Sequence, residues 1–503
     1  MLFADLPEEI LLHILTTCFK RDSQTLVLLA TLSKRFHRIV TPILYSHVTL
    51  SLDDADESRK VRRFIMSVFS HPYLAQCVRS LELNKLSWVS HQSLSRRRKE
   101  LVARMLTGNI LGRPDRLDMF KLITVVRRLP LLDKHKHKWC AELQEVSPSL
   151  DSLVALIFVF LPSLEKLESN WSSDAIFIWH LLPQADMKKV DSAPSPLVLR
   201  NLTHLKVNSE TPCGNSSEIL PLFQMPALTH FFGSNWGPIR RDGWDDGVEI
   251  QAEDLEGGRG SIASPITHLE LRYCNIDLYS LQTILKHCRS VRTFIFHRDW
   301  DPRIHVRLSG DSIMQALRPL RKTLENIALS FEPGIYIHQE GEIHPLDFSQ
   351  FTVLRNLHVA AGYLIHDPAD FDNYEVPKSY DSENGEQTIN TSLHERLPES
   401  LEVLRVTGFS TPQQMQYLID DCCRMIQCRS RLPRLRELSI EAPFDDPGVI
   451  LDTSTLQQEA HRTDVLFRKI NNADQFNDEY EILTPAGCDW GMSGEFKWNT
   501  KLL

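Results

Sequence analysis

The feature that most restricts this chain is a short apolar spacing that returns along most of its length. An apolar residue is followed by two variable residues, a second apolar residue, one variable residue and a third apolar residue. Clear copies are Val78-Leu81-Leu83, Leu202-Leu205-Val207, Ile266-Leu269-Leu271, Val291-Phe294-Phe296, Leu324-Ile327-Leu329, Leu354-Leu357-Val359, Leu401-Leu404-Val406 and Leu435-Leu438-Ile440. Degenerate copies stand at Leu164-Leu167 and Leu228-Phe231. The last two apolar positions flank a single residue, so on a strand they face the same way. Helical patterns follow most copies. One strand and one helix cannot close a core alone, but stacked units bury a continuous core between them. The expected architecture is α/β, a solenoid of short parallel strands, each backed by a helix.

The unit from Ile266 to Ser290 carries the pattern best. Leu269 and Leu271 lie on its strand, and Cys274 and Ile276 then turn the chain inward. Leu281, Ile284, Leu285 and Cys288 follow at helical spacing. Val291 opens the next strand about 25 residues after Ile266, a period that resembles a leucine-rich repeat. Cys274 and Ile276 take the Asn/Cys and Leu places of that repeat. Other spacings are longer and uneven, which resembles the irregular form of the repeat.

Ahead of the array, residues 1–47 hold three short apolar patterns, too small to bury much area by themselves. The first follows Leu6-Pro7, with Asp5 as a cap, Pro7 in the first turn and Ile10, Leu11, Ile14 and Leu15 on one helical face. The second follows Asp22-Ser23 and carries Leu26, Val27, Leu29 and Ala30. The third follows Ser33, a good N-cap, carries Phe36, Ile39 and Val40, and is expected to stop at Pro42. Leu6-Pro7, the acidic pair Glu8-Glu9, two apolar runs and then Ser33-Lys34-Arg35-Phe36-His37-Arg38 resemble an F-box, over roughly residues 3–45. Leu32 departs mildly, since many members have Val or Cys there. An F-box ahead of irregular repeats resembles the fungal-type F-box/leucine-rich-repeat family.

That resemblance implies a three-helix F-box docking on the Skp-family adaptor of a cullin-RING (SCF-type) ubiquitin ligase. The repeats would then act as substrate receptor, holding a protein substrate near the ubiquitin-conjugating enzyme. The alternative is a scaffold that binds partners without ubiquitin transfer. The implied adaptor surface is Leu6, Pro7, Ile10, Leu11, Ile14, Leu15, Leu26, Leu29, Leu32 and Phe36, less whichever turn inward. On the repeats, residues beside the buried pairs point to the other face of the strands. Those expected to meet substrate are His204, Lys206, His268, Glu270, Arg272, His297, His358, Arg405 and Glu437, a mixed polar set suited to a protein or peptide.

The domains expected are an F-box at 1–47, the repeat array at 48–445 and a C-terminal cap at 446–503. Residues 48–52 alternate like a strand, and a helix then runs to His71-Pro72. Residues 84–162 are the least patterned, with apolar runs at Leu117–Leu132 and Leu150–Leu161. Two long loops interrupt the array. One, near 233–263, is glycine-rich and holds Trp236 and Trp244; the other, near 366–392, sets Asp367, Asp370, Asp372, Glu375, Asp381, Glu383 and Glu386 against Lys378. The cap is expected to be helical near Glu459–Ile470 and strand-like at Tyr480–Leu483.

Composition and motifs narrow the function further. A hydrophobic content of 42%, a charged content of 24% and a net charge of −9 are those of a soluble globular chain and argue against nucleic-acid binding. No apolar run reaches the length of a membrane span. Asp5, Glu8, Glu9 and His13 disagree with a signal peptide, so a cytoplasmic or nuclear location is expected. The ten cysteines form no Cys-x-x-Cys pair, and Cys422, Cys423 and Cys428 read as packing residues in a helix. Nucleophile elbow, zinc helix, dinucleotide fingerprint and phosphate loop are all missing, so no enzyme, cofactor or metal is expected. His338 and His344 beside Glu340 and Glu342 read as an exposed turn before a weak metal site. The basic runs Arg96–Lys99 and Lys134–Lys138 read first as a solvated helix face or loop, with nuclear import or an acidic partner as the other readings.

Overall fold

The computed structural model describes residues 6–19, 22–51, 57–84, 116–129, 131–145, 148–171, 176–181, 198–209, 214–238, 264–298, 310–331, 345–365, 392–407, 412–442, 444 and 451–471. The chain divides into two compact units, Met1–Gly214 with Glu218–Phe231, and Asn215–Ser217 with Phe232–Leu503.

The first unit opens with three helices, α1 (Glu8–Cys18), α2 (Ser23–Leu32) and α3 (Lys34–Ser46). Their starts follow the capping residues. The Asp22 side chain accepts the Thr25 N–H at 3.0 Å, and Ser33 Oγ accepts that of Phe36 at 3.1 Å. Pro7 sits at the N-cap of α1 rather than inside its first turn, and no side chain caps it. Pro42 does not end α3, which runs on to Ser46. Ile39, Val40 and Ile43 are buried on either side of that proline, and their packing outweighs its cost of about 3 kcal/mol.

The helix α3 leads directly into strand β1 (His47–Ser51) and packs on helix α5 (Pro72–Cys77). His71-Pro72 ends α4 (Glu57–Ser70) and also starts α5, with the proline at a first-turn position where its missing N–H costs nothing. Strands β1, β2 (Ser80–Asn84), β3 (Lys166–Trp171) and β4 (His204–Ser209) pair parallel in sequence order. The span between β2 and β3, weakly patterned in sequence, holds helices α6 (Arg116–Arg128), α7 (Asp133–Gln144) and α8 (Leu150–Phe160), with α9 (Ile176–Leu181) after β3. The basic run Lys134–Lys138 lies on α7, and the neighbouring Trp139 turns inward to donate to the Ser152 carbonyl at 3.1 Å.

In the second unit β8 (His268–Cys274), β9 (Thr293–Arg298), β10 (Asn326–Phe331), β11 (Asn356–Ala360), β12 (Val403–Thr407), β13 (Glu437–Ala442) and β14 (Leu466–Asn471) pair parallel, again in sequence order. Helices α10 (Leu278–His287), α11 (Gly310–Leu317), α13 (Pro412–Gln427, after the single turn α12 at Leu393–Arg396) and α14 (Ser454–Arg462) come between them. Every copy of the apolar spacing read from the sequence falls on a strand, with its paired residues buried. Cys274 and Ile276 turn inward as expected. Burial pushes the Cys288 and Cys422 thiols up, which suits packing and not metal or nucleophilic work.

Two boundaries differ from expectation. After the two-residue strand β5 (Gly214–Asn215), residues 233–238 are not loop: β6 (His230–Ser234) and β7 (Trp236–Gly237) occupy them, and Trp236 is buried with its carbonyl accepting the Asn275 N–H. The array also does not stop at 445, because β14 extends it where a helix was expected. The strand was hidden because Phe467 pairs with Leu438, but Lys469 stands opposite Ile440 and breaks the apolar pair. The runs Arg96–Lys99 and Tyr480–Leu483, the group His338–His344 and nearly all of both long loops lie outside the described residues.

Asp151, buried in the first turn of α8, ties α9 to the body of the unit by accepting the N–H groups of Phe177 at 2.8 Å and Ile178 at 3.1 Å. Burial pushes its carboxyl from an ordinary 3.8 up to about 7, although both N–H donors pull it down. Between those values the folded chain keeps a proton that the unfolded chain has lost, so stability falls as pH rises from about 4 to about 7 and levels off above. Asp151→Asn should flatten that slope and, by losing an acceptor for one N–H, cost about 1–3 kcal/mol. Thermal melts across this pH range, with amide exchange at Phe177 and Ile178, measure both effects.

Candidate functional site

The chain carries two candidate surfaces, one on the helical head and one on the strands. On the helical head, Leu11, Leu15, Leu26, Phe36, Ile39, Val40 and Ile43 form a closed cluster, with Leu6, Leu29, Ala30, Phe19 and Leu44 half-buried against it. Arg35 donates to the Leu6 carbonyl, and Glu8 pairs with Arg35 and Arg38. The Leu-Pro, acidic and basic parts of the motif therefore meet and fasten α1 to α3.

That packing corrects the adaptor-facing set. Leu11, Leu15, Leu26 and Phe36 are core, because α1 and α2 must give one face to the head itself. Leu6, Ile14 and Leu29 are intermediate, while Pro7, Ile10 and Leu32 remain outside. Three further residues join them at the surface: Leu12, Val27 and Leu28. Leu28 and Leu32, one turn apart on α2, are 67% and 68% exposed. The sequence hid them because a helix that is apolar on every side does not declare which side faces inward.

The second surface is the strand face turned away from the paired apolar residues. In β4 burial alternates, with His204, Lys206 and Asn208 half-buried between buried Leu205, Val207 and Ser209. Lys206 pairs with Glu168 at 2.6 Å, and Asn208 donates to Asn170 at 3.2 Å. The His204 ring stacks on His230 with centroids 4.2 Å apart, and each ring nitrogen Nδ1 meets the hydroxyl of the preceding threonine, Thr203 or Thr229.

In the second unit His268, Glu270, Arg272 and His297 are buried rather than presented to solvent, which corrects their reading as open contacts. The reason is mutual pairing. Glu270 bonds Arg272, and His268 lies 3.4 Å from its other oxygen. Burial pulls the Glu270 carboxyl upward, but Arg272 and His268 more than offset it and hold it below the ordinary range. Arg272 also lies over the Phe232 ring. Burial, then Arg272, pushes His297 down to about 4, and its Nδ1 meets Ser330 Oγ at 2.8 Å. Tyr273 sits at the bulge in β8 with a positive φ of 51°, its ring edge-on to His297. Farther along, Arg405 pairs with Glu441, and Glu437 with Arg468 at 3.4 Å. His358 lies on β11, between Ala328 of β10 and Arg405 of β12. The partners Glu168, Ser330, Glu441 and Arg468 were missed because they come from neighbouring strands, and only the register reveals them.

Parallel strands stacked in sequence order, with an apolar pair buried on one face of each, define a leucine-rich-repeat protein, here with a helical head. A family model described as a COS11 F-box domain matches residues 3–89, and one described as a leucine-rich repeat domain matches residues 182–442, more than half of the chain. The chain belongs to the leucine-rich repeat family and carries an F-box domain ahead of the repeats. The F-box match runs past residue 47 to take in β1, α4, α5 and β2. No curated protein matches the chain. Domains of both kinds typically serve as interaction modules. Among the described residues no His, Cys, Asp or Glu group is set to hold a metal, and no helix is long and apolar enough to cross a membrane.

The division of the head into core and surface is directly measurable. Leu15→Ala should cost about 2–5 kcal/mol, seen as faster amide exchange throughout α1 to α3 of the full chain. Leu28→Ala and Leu32→Ala should each stay within about 0.5 kcal/mol.

Proposed function

We propose that this chain is the substrate-recognition subunit of a cullin-RING (SCF-type) ubiquitin ligase. Its F-box docks on the Skp-family adaptor, which joins it to the cullin, and its repeats hold a protein substrate. The observation that carries this reading is the exposed apolar set Ile10, Leu12, Val27, Leu28 and Leu32, on a head whose own core is already closed. Apolar side chains at that density on short helices are stabilised by a partner's surface, at about 1.5–3 kcal/mol for each one fully covered. Pro7, Ile10, Leu12, Val27, Leu28 and Leu32 form the contact, edged by half-buried Leu6, Ile14 and Leu29; Leu11, Leu15, Leu26 and Phe36 support it from within. The chain supplies proximity and performs no chemistry itself. This role fits the cytoplasmic or nuclear location expected from the sequence.

Full-length chain mixed with purified Skp-family adaptor should form a stable complex. Leu28→Asp with Leu32→Asp should weaken capture at least 100-fold, about 3 kcal/mol, with melting unchanged. Failure of the wild-type chain to retain the adaptor sinks the reading. Retention of the adaptor without recovery of the cullin in a reconstituted mixture would leave a scaffold that transfers no ubiquitin.

A further inference from the structure

In the second unit His268, Glu270, Arg272 and His297 are buried on the strand face, and exposed charge collects instead on one rim. Because β9 to β13 all run the same way, every connection from helix end to strand start lies on that rim. The five connections leading into β9 to β13 are residues 288–292, 318–325, 345–355, 397–402 and 428–436. Together they hold ten arginines and lysines against four carboxylates, in a chain whose net charge is −9. The rim therefore opposes the sign of the rest of the chain.

A rail runs through these connections. Arg292, Glu325, Arg355, Glu402 and Arg436 follow one another across the sheet, the carbonyl of each accepting the N–H of the next at 2.8 Å. Their side chains pair as well, Arg292 with Glu325 at 3.6 Å, and Glu402 with both Arg355 at 3.8 Å and Arg436 at 3.2 Å. The rail's carboxylates are spent on its own arginines. Beside it Arg289, Arg318, Lys322, Arg431 and Arg434 are exposed, and their side chains meet no ion-pair or hydrogen-bond partner among the described residues. Arg321 and Arg429 bond neutral groups, Gln350 and the Leu435 carbonyl. The other two carboxylates, Asp347 and Glu399, form an ion pair with none of these cations.

Cations left without carboxylates on neighbouring connections repel one another, and a surface of opposite charge relieves that repulsion. They fall into two groups: Arg289, Arg318 and Lys322 lead into β9 and β10, and Arg431 and Arg434 into β13. Three strand spacings separate β10 from β13, roughly 14 Å, which an extended peptide covers in about four to five residues. A nucleic-acid backbone fits less well. Glu402 stands between the two groups and would face its unbroken phosphate charge, and the chain's net charge of −9 repels a long polyanion. We propose that this rim binds an acidic segment of a partner protein, with one Asp or Glu group on Arg289, Arg318 and Lys322 and a second on Arg431 and Arg434. It deepens the receptor reading, on which it rests only for calling that partner a substrate.

The test uses full-length chain at low salt, titrated with acetyl-Asp-Glu-Gly-Ser-Gly-Ser-Asp-Glu-amide and with a control carrying Asn and Gln in place of Asp and Glu. The acidic peptide should bind about tenfold more tightly than the control, and that margin should shrink as salt is raised. Arg318→Glu with Lys322→Glu, and Arg431→Glu with Arg434→Glu, should each remove most of the difference, with melting unchanged because all four side chains are exposed. Lys134→Glu with Lys138→Glu, on the basic helix α7 of the first unit, should leave it intact. Because the two peptides are compared on the unmodified chain, the first result does not depend on any variant folding. Equal affinity for the two, no binding at millimolar peptide, or loss of binding in the α7 variant and not in the rim variants each overturns the proposal. So does tighter capture of a thymidine oligonucleotide of equal charge, which would make the rim a nucleic-acid surface. No adaptor is present, so these outcomes are independent of whether the F-box captures one.

Discussion

The whole repeat architecture depends on one interaction: apolar residues at the same two positions of every strand, stacked in register. In the second unit Leu269, Phe294, Ile327, Leu357, Leu404 and Leu438 are successive partners, and so are Leu271, Phe296, Leu329, Val359, Val406 and Ile440. In the first unit Leu81, Leu167 and Leu205 make the same ladder. Each rung buries its neighbours' side chains as well as its own, so burial accumulates along the stack although no single repeat could hold a core. The intervening helices need only cover this ladder. Their lengths and the connections between them are therefore free to vary, as the uneven spacing of the copies requires.

The head obeys a different constraint. Three short helices close a core of seven buried side chains, but only by spending the inner faces of α1 and α2 and most of α3. What remains apolar on α1 and α2 is outward by geometry. The helix α3 has no such remainder, since it is continuous with β1 and packs on α5. Continuing through Pro42 makes that connection rigid, because helical backbone persists to the first residue of the strand.

Much of this was legible because the ladder repeats a pattern within a few residues. The ten spacings named the strands, and Asp22 and Ser33 announced the helix starts that they cap. Legibility failed where the controlling partner is distant. Pro42 looked like a stop because its packing neighbours lie on other helices. β14 was missed because an outermost strand needs fewer apolar residues, and Lys469 instead lays its chain over Phe444. The head's surface was misassigned in part because spacing names a face without saying what covers it. On the strands, spacing named the side chains of the polar face but not their burial or their partners. Arg272 and His268 stand two residues either side of Glu270, but only the folded strand puts both on its carboxyl and holds it below the ordinary range despite burial.

Register connects the two faces of each strand. A slip of one residue would exchange them, placing the polar set in the core, so the apolar ladder fixes the pairing strongly. That same fixed pairing chooses which polar side chains become neighbours. Thr49 with Glu82, Glu168 with Lys206, Asn170 with Asn208, Thr293 with Asn326, Asn326 with Asn356 and His297 with Ser330 are all register partners, and all are bonded. These contacts need no stabilising role of their own to be reproducible. The buried leucines set their geometry from the opposite side of the sheet, which leaves the polar residues free to differ from repeat to repeat. A face that varies in chemistry while its spacing is held constant is what recognition of a particular protein surface requires, and here the hydrophobic core supplies the constancy.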